Sequence, residues 1–328
     1  MLKRKLLIIF SFILLISLFA ACKKNVGTSE DNAIVEEEAE DNTPVYTFGF
    51  SCITMENPYF ITLEQSLRNT LEAEGHTMIS SDPALDVDLQ IEQINDMIAD
   101  GIDAIFLCPV EWEKITPALE NLKDAGVKII NIDSQVKDFD YVDAYIGSDN
   151  EEAGRICARD LIEMCSDGGK IVLLESPSQN SVNERISGFE TEIAKGGFEI
   201  AARCDTKGDL NLAREAMNEI LSEHDDIVAV MCGNDQIALG ALVAANTHSV
   251  TDLLIYGVDG SPDLKKELKK EKTLIRGTCA QSPINLGKNA VKLAIDVLQG
   301  NDYEKIVYED VFFITAENVE MYGIDGWQ

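Results

Sequence analysis

Residues 227–235, IVAVMCGND, and 253–259, LLIYGVD, decide how the chain is read: each is a short, β-branched apolar run that stops abruptly on amides or carboxylates, Asn234-Asp235 and Asp259. Two further runs have the same form. Residues 45–53, VYTFGFSCI, lead into Asn57-Pro58-Tyr59-Phe60, and residues 127–133, VKIINID, close on Asp133. In an open parallel sheet the carboxyl ends of the strands form the edge where ligands settle. Asn57, Tyr59, Phe60, Asp133, Asn234 and Asp259 are therefore candidate site residues, and Arg185 and Gln281 extend the same chemistry. Planar groups of this kind satisfy hydroxyls that both donate and accept, while aromatic faces cover C–H surfaces. The set suits a neutral, polyhydroxylated molecule.

Outward from these runs, strand and helix patterns alternate throughout. HTMISS, IDAIFLC and DAYIGS complete a first series, with helical spacing near 59–74, 86–100 and 113–125; KIVLLES, FEIAARC and IRGTCAQ complete a second, with helices near 182–195, 210–223, 235–246 and 261–271. Apolar runs separated by helices of this length indicate parallel βαβ winding. About 280 residues exceed one ordinary core. The fold class expected is α/β, two doubly wound parallel-sheet lobes with a hinge. Residues 45–148 plus 282–307 are assigned to the N-terminal lobe and 149–281 plus 308–328 to the C-terminal lobe. INLGKNAVKLAIDVLQG reads as a further helix and VYEDVFFIT as one strand, so the chain crosses between lobes more than twice. Gly75, Gly101, Gly126 and Gly197 sit where left-handed helix C-caps belong.

The first 22 residues carry a basic start, an apolar core of about 14 residues and the exit Ala20-Ala21-Cys22. That core is shorter than the ~20 residues a span requires and reads as a secretory leader. Cys22 resembles a bacterial lipobox cysteine, which implies a lipid tether rather than a span. Residues 23–44 are acidic, almost without apolar side chains, and read as a disordered linker. The whole chain has 27 Lys+Arg against 58 Asp+Glu, a net charge of −31, which repels nucleic acid. Apart from Cys22, seven cysteines remain, with no C-x-x-C spacing, and most lie in apolar runs as buried free thiols.

TMENPYF, NIDSQ, IGSDNEEAG, NERISGF, GNDQIALGAL, YGVDGSPD and CAQSPINLG, in this order over residues 45–316, resemble the periplasmic sugar-binding proteins of the ribose and galactose type, the type I binding proteins of ABC importers. The resemblance implies ligand contacts from Asn57, Tyr59, Phe60 and Asp133 in one lobe and from Arg185, Asn234, Asp259 and Gln281 in the other. Two departures stand out. Ribose binders of this type commonly have Asp-Arg where this chain has Asp133-Ser134, with Gln135 as a substitute donor, and an aromatic where it has Gly208. Trp112, in the loop CPVEWEK, is a candidate replacement aromatic.

Each residue also has a plainer role open to it. Asn57 can cap the first helix, one of Tyr59 and Phe60 can be core, and Arg185 can pair with Glu184 or Glu190. Asp133 and Asp259 can be turn formers, and Gln281 a hinge residue. Asp235 reads as the N-cap of the helix that follows it and stays outside the candidate set.

Nothing points to catalysis. His76, His224 and His248 neighbour no nucleophile or metal set, and phosphate-loop, dinucleotide, zincin and nucleophile-elbow motifs are missing from the sequence. The expectation is a non-enzymatic, monomeric, exported lipoprotein without cofactor or metal, which captures a monosaccharide or sugar alcohol and delivers it to ABC permease subunits. The alternative is a sugar-sensing receptor that reports to a membrane histidine kinase or chemoreceptor.

Overall fold

The structure, a computed structural model, describes residues 44–328. The leader, Cys22 and nearly all of the acidic linker lie outside the described residues. The first series forms β1 (Thr47–Ser51), α1 (Pro58–Ala73), β2 (Thr77–Ser81), α2 (Val87–Ala99), β3 (Ala104–Leu107), α3 (Thr116–Asp124), β4 (Lys128–Ile132) and β5 (Ala144–Ser148). The second forms α4 (Asn150–Met164), β6 (Gly169–Glu175), α5 (Asn180–Ile193), β7 (Phe198–Asp205), α6 (Leu210–Glu223), β8 (Ile227–Cys232), α7 (Asp235–Thr247), β9 (Leu254–Asp259), α8 (Pro262–Leu268) and β10 (Ile275–Ala280). Then follow α9 (Pro283–Gln299), β11 (Ile306–Glu309) and β12 (Phe312–Thr315).

Two six-stranded sheets result, ordered β11-β5-β4-β3-β1-β2 and β12-β10-β9-β8-β6-β7. All described pairings are parallel except β10 with β12. The strands are apolar on both faces because helices cover both, as parallel sheets demand. Phe48, Phe50 and Phe106 pack under α1 and α9 on one side of the first sheet, and Ile105, Leu107 and Ile129 under α2 and α3 on the other. In the second sheet Val172, Val230 and Ile255 face one helical layer and Leu173, Met231 and Tyr256 the opposite one.

The run read as a single strand, VYEDVFFIT, is broken at Asp310–Val311: β11 joins β5 in the first sheet and β12 joins β10 in the second. The boundary placed at residue 307 thus falls inside β11, and sheet membership moves it to that pair. The chain passes between sheets after β5, after β10 and after β11. Gly75, Gly101 and Gly126 have φ of 82°, 81° and 77°, as their C-cap role requires. Gly197 does not follow them; its carbonyl accepts the Gly169 N–H at 3.1 Å, pressed against Gly168 so closely that a Cβ on Gly168 would overlap it. All seven described cysteines are free, five of them buried. No described helix is long and apolar enough to cross a membrane.

Candidate functional site

The carboxyl ends of the two sheets face each other across a small cavity lined by Asn57, Tyr59, Phe60, Asp133, Gln179, Ser181, Arg185, Asn234, Asp259 and Gln281. Eight of the nine residues singled out as ligand contacts from the sequence meet there. Two more line it, and one candidate, Trp112, does not.

Asn57 and Asn234 reach the cavity because each begins a helix at a strand end. Asn57 Oδ1 accepts the Tyr59 N–H at 3.0 Å, and Asn234 Oδ1 accepts the Ile237 N–H at 2.9 Å. The amide oxygens thereby act as caps, and Asn234 Nδ2 makes a long contact of 3.5 Å to the Gly208 carbonyl. Asn234, rather than Asp235, is the N-cap of α7. Asp235 instead lies buried at the first helical position and accepts from the Ser261 N–H at 2.7 Å and the Thr278 hydroxyl at 2.7 Å.

Asp133 and Asp259 are 5% and 4% exposed and have φ of 61° and 140°, conformations that non-glycine residues adopt at a cost of order 1–3 kcal/mol. Around Asp133 the strain is overridden by its N–H donating to Ile146 at 3.0 Å and by the Tyr145 hydroxyl donating to its carbonyl at 2.9 Å. Its carboxylate accepts a weak bond from the Cys108 thiol at 3.5 Å. Around Asp259, the Gln281 N–H donates to the Asp259 carbonyl at 3.1 Å and Gln281 Nε2 to Oδ1 at 2.7 Å. Backbone and side chain of the same glutamine therefore aim this carboxylate.

Arg185 is 3% exposed and is not on a solvated face. Nε donates to Asn150 Oδ1 at 2.8 Å, Nη1 donates to the Gly233 carbonyl at 2.9 Å, and Nη1 stands 3.9 Å from Asp259 Oδ1. Its place depends on close approach of α4 to α5: a Cβ on Gly154 would overlap the Arg185 carbonyl, and one on Gly188 the Glu151 carbonyl. Burial pushes both cavity carboxyls up, offset by Arg185. Asp259 rises to about 8, first through burial and then through the field of Asp235.

Tyr59 and Phe60 meet edge to face at 5.3 Å, and Tyr59 also packs on Trp327 at 5.8 Å. Two buried polar atoms of the lining, the Tyr59 hydroxyl and Gln281 Oε1, have no hydrogen-bond partner within 3.5 Å; the hydroxyl leans toward the Asp133 carboxyl and helps to hold it down. Unpaired buried polar atoms are uncommon and cost about 1–3 kcal/mol each, so their presence in one cavity marks it as built to receive polar groups.

Trp112 sits at the rim. Its backbone N–H donates to the Ser178 carbonyl of the other lobe at 3.0 Å, and Lys137 Nζ lies 5.9 Å from its ring centre. It ties the lobes together instead of lining the cavity. Gln135 does not line the cavity either. The wall beside Gly208 is filled by amides: a Cβ there would come within 3.1 Å of Gln179 Nε2 and 3.4 Å of Asn234 Nδ2. Gln179 and Ser181, which the sequence reading missed, follow β6 as Asn234 follows β8; applying the strand-end rule to KIVLLES signals both.

Residues 48–302 match the periplasmic binding protein domain. The ribose import binding protein of Bacillus subtilis is 31% identical over 267 residues, covering 81% of this chain and 86% of that protein. The chain belongs to the periplasmic binding protein family. Within that family it is of the ribose/galactose sugar-binding type, a group of exported transport proteins rather than enzymes. Among solved structures, an ABC transporter solute-binding protein of Bacillus halodurans with bound myo-inositol shares the fold with a TM-score of 0.78 at 23% identity, covering 84% of this chain and 96% of that one. The arabinose-transporter binding protein of a Shewanella species, bound to α- and β-L-arabinofuranose, has a TM-score of 0.77 at 26% identity, covering 84% and 93%.

Proposed function

We propose that this chain is the solute-binding component of an ABC importer and that it clamps a monosaccharide or sugar alcohol between its lobes. The observation that carries the reading is the convergence of polar residues from both sheets, with two unpaired buried polar atoms, on one cavity. Asn57, Asp133, Arg185, Asn234, Asp259 and Gln281 supply hydrogen bonds, and Tyr59 with Phe60 supplies the apolar face. A guest that binds one lobe completes its hydrogen bonds with the other, and this differential affinity shifts the population to the closed form that permease subunits engage. Names of the relatives support transport: the B. subtilis protein is an import protein and the structural neighbours are transporter components.

The finer reading is a monomer held at the cell envelope by lipid on Cys22, with residues 23–44 as the tether. Calorimetric titration of the purified protein with pentoses, hexoses and polyols tests the binding reading; failure of every one to bind refutes it. Cys22→Ala should move the protein from the membrane fraction to the soluble fraction.

A further inference from the structure

Two carboxylates and one guanidinium line the cavity, and Asp133, Asp259 and Arg185 are all at most 5% exposed. The remaining lining groups are neutral. Arg185 is already bonded to Asn150 and the Gly233 carbonyl and approaches Asp259 only to 3.9 Å. Ser134, beside Asp133, brings no charge; its hydroxyl accepts the Ser181 N–H at 3.1 Å. Among the described residues a second buried cation, Lys265, lies outside the lining and donates to the Gly326 carbonyl at 2.6 Å and Gln328 Oε1 at 2.7 Å. Lys207, near the mouth, is exposed. Two further carboxylates act from behind the lining: Asp235, bonded to Ser261 and Thr278, and Glu184, bonded to Asn150 and Asn180. With Asp133, Asp259 and Arg185 all ionised the wall would hold one negative charge in excess, a cost of several kcal/mol out of water that the unliganded protein avoids by keeping a proton on Asp259.

The unpaired atoms have the matching polarity. Gln281 has given its amide nitrogen to Asp259, so its free Oε1 can only accept. The Tyr59 hydroxyl makes no hydrogen bond within 3.5 Å and leans toward the Asp133 carboxyl, with Asp259 also close enough to act on it. A guest hydroxyl offers this group one hydrogen; an ammonium offers three and the missing charge.

Building on the sugar-binding reading above, we propose that the guest is an aminated monosaccharide or amino-polyol, its protonated amine held by Asp259, Gln281 and Asp133 while its ring lies on Tyr59 and Phe60. The raised pKa of Asp259 is consistent with this: a cation there restores the ionised carboxylate, so capture near neutral pH releases a proton.

The test is calorimetry on the purified protein at pH 6.5 with matched pairs: D-glucosamine and D-glucose, D-galactosamine and D-galactose, D-mannosamine and D-mannose, and an aminocyclitol with its parent inositol. At least one amine should bind about tenfold or more tightly than its hydroxyl twin. D259N and D133N should remove that advantage, and titrations in buffers of different ionisation enthalpy should detect proton release with the amine only. Hydroxyl twins that bind as tightly as the amines, or tighter, overturn the amine assignment and leave the sugar reading standing. An amine advantage that survives in both variants overturns it as well. If no compound of either kind binds, both readings fall.

Discussion

Asp259→Asn should make the unliganded protein more stable at pH 8 while it loses guest binding. The carboxyl is pushed from an ordinary 3.8 up to about 8 in the fold, so between those values the folded protein holds a proton that the unfolded chain has released. This contribution is fully present below about pH 4, falls as pH rises and is gone above about pH 8, the reverse of a salt-bridged aspartate. Four pH units at 1.36 kcal/mol each set a ceiling of about 6 kcal/mol. Asp133 and Asp235, also buried and raised, share the titration, and Arg185 opposes it, which brings the expected effect to about 2–3 kcal/mol. Asparagine keeps the volume and still accepts from Gln281 Nε2. Urea midpoints at pH 5, 6, 7 and 8 should show the variant gaining on the parent by that amount between the extremes. Parallel pH curves for the two proteins refute the argument.

Other perturbations separate fold from site. Arg185→Ala leaves Asn150 Oδ1 and the Gly233 carbonyl without their donor and both cavity carboxylates without a counter-charge; it should weaken sugar binding by about 2 kcal/mol or more and lower the denaturation midpoint as well. Tyr59→Phe removes a hydroxyl that makes no hydrogen bond within 3.5 Å and only leans toward Asp133, so melting temperature should change little while calorimetric affinity drops by about 1 kcal/mol. Gly154→Ala forces α4 away from the Arg185 carbonyl; overpacking of about 1–3 kcal/mol should accompany a loss of affinity, although residue 154 does not line the cavity. Unchanged affinity in that variant would show that the spacing of α4 and α5 does not position Arg185.

Much of the site was legible because strand ends announce themselves: an apolar run that stops on Asp133 or Asp259 places a carboxylate on the ligand edge whatever the surrounding fold. Asn57 and Asn234 were legible for a related reason, since a residue after a strand and before a helix is both cap and edge. What remained hidden depends on tertiary partners. Asn234 and Asp235 are equally good caps, and the choice is made by Ser261 and Thr278, which hold Asp235 from neighbouring segments. Trp112 was misplaced because loop direction is set by its bond to Ser178 across the cleft. VYEDVFFIT carries no turn signal at Asp310–Val311, and only the need of each sheet for an edge strand divides it. Residues 326–328 had no pattern to read, yet Trp327 braces Tyr59 and Gln328 Nε2 donates to the Gly260 and Gln281 carbonyls at 3.1 and 3.3 Å.

The three passages of backbone between the sheets restrict how the molecule can move. One strap would let the halves wander and two would still let them swing about the line joining them; with a third, after β11, an inexpensive rotation must run close to all three junctions at once. Jaw motion is thereby reduced to nearly a single coordinate, so a captured molecule need restrain little besides that coordinate, and the entropy lost on shutting stays small beside the hydrogen bonds it completes.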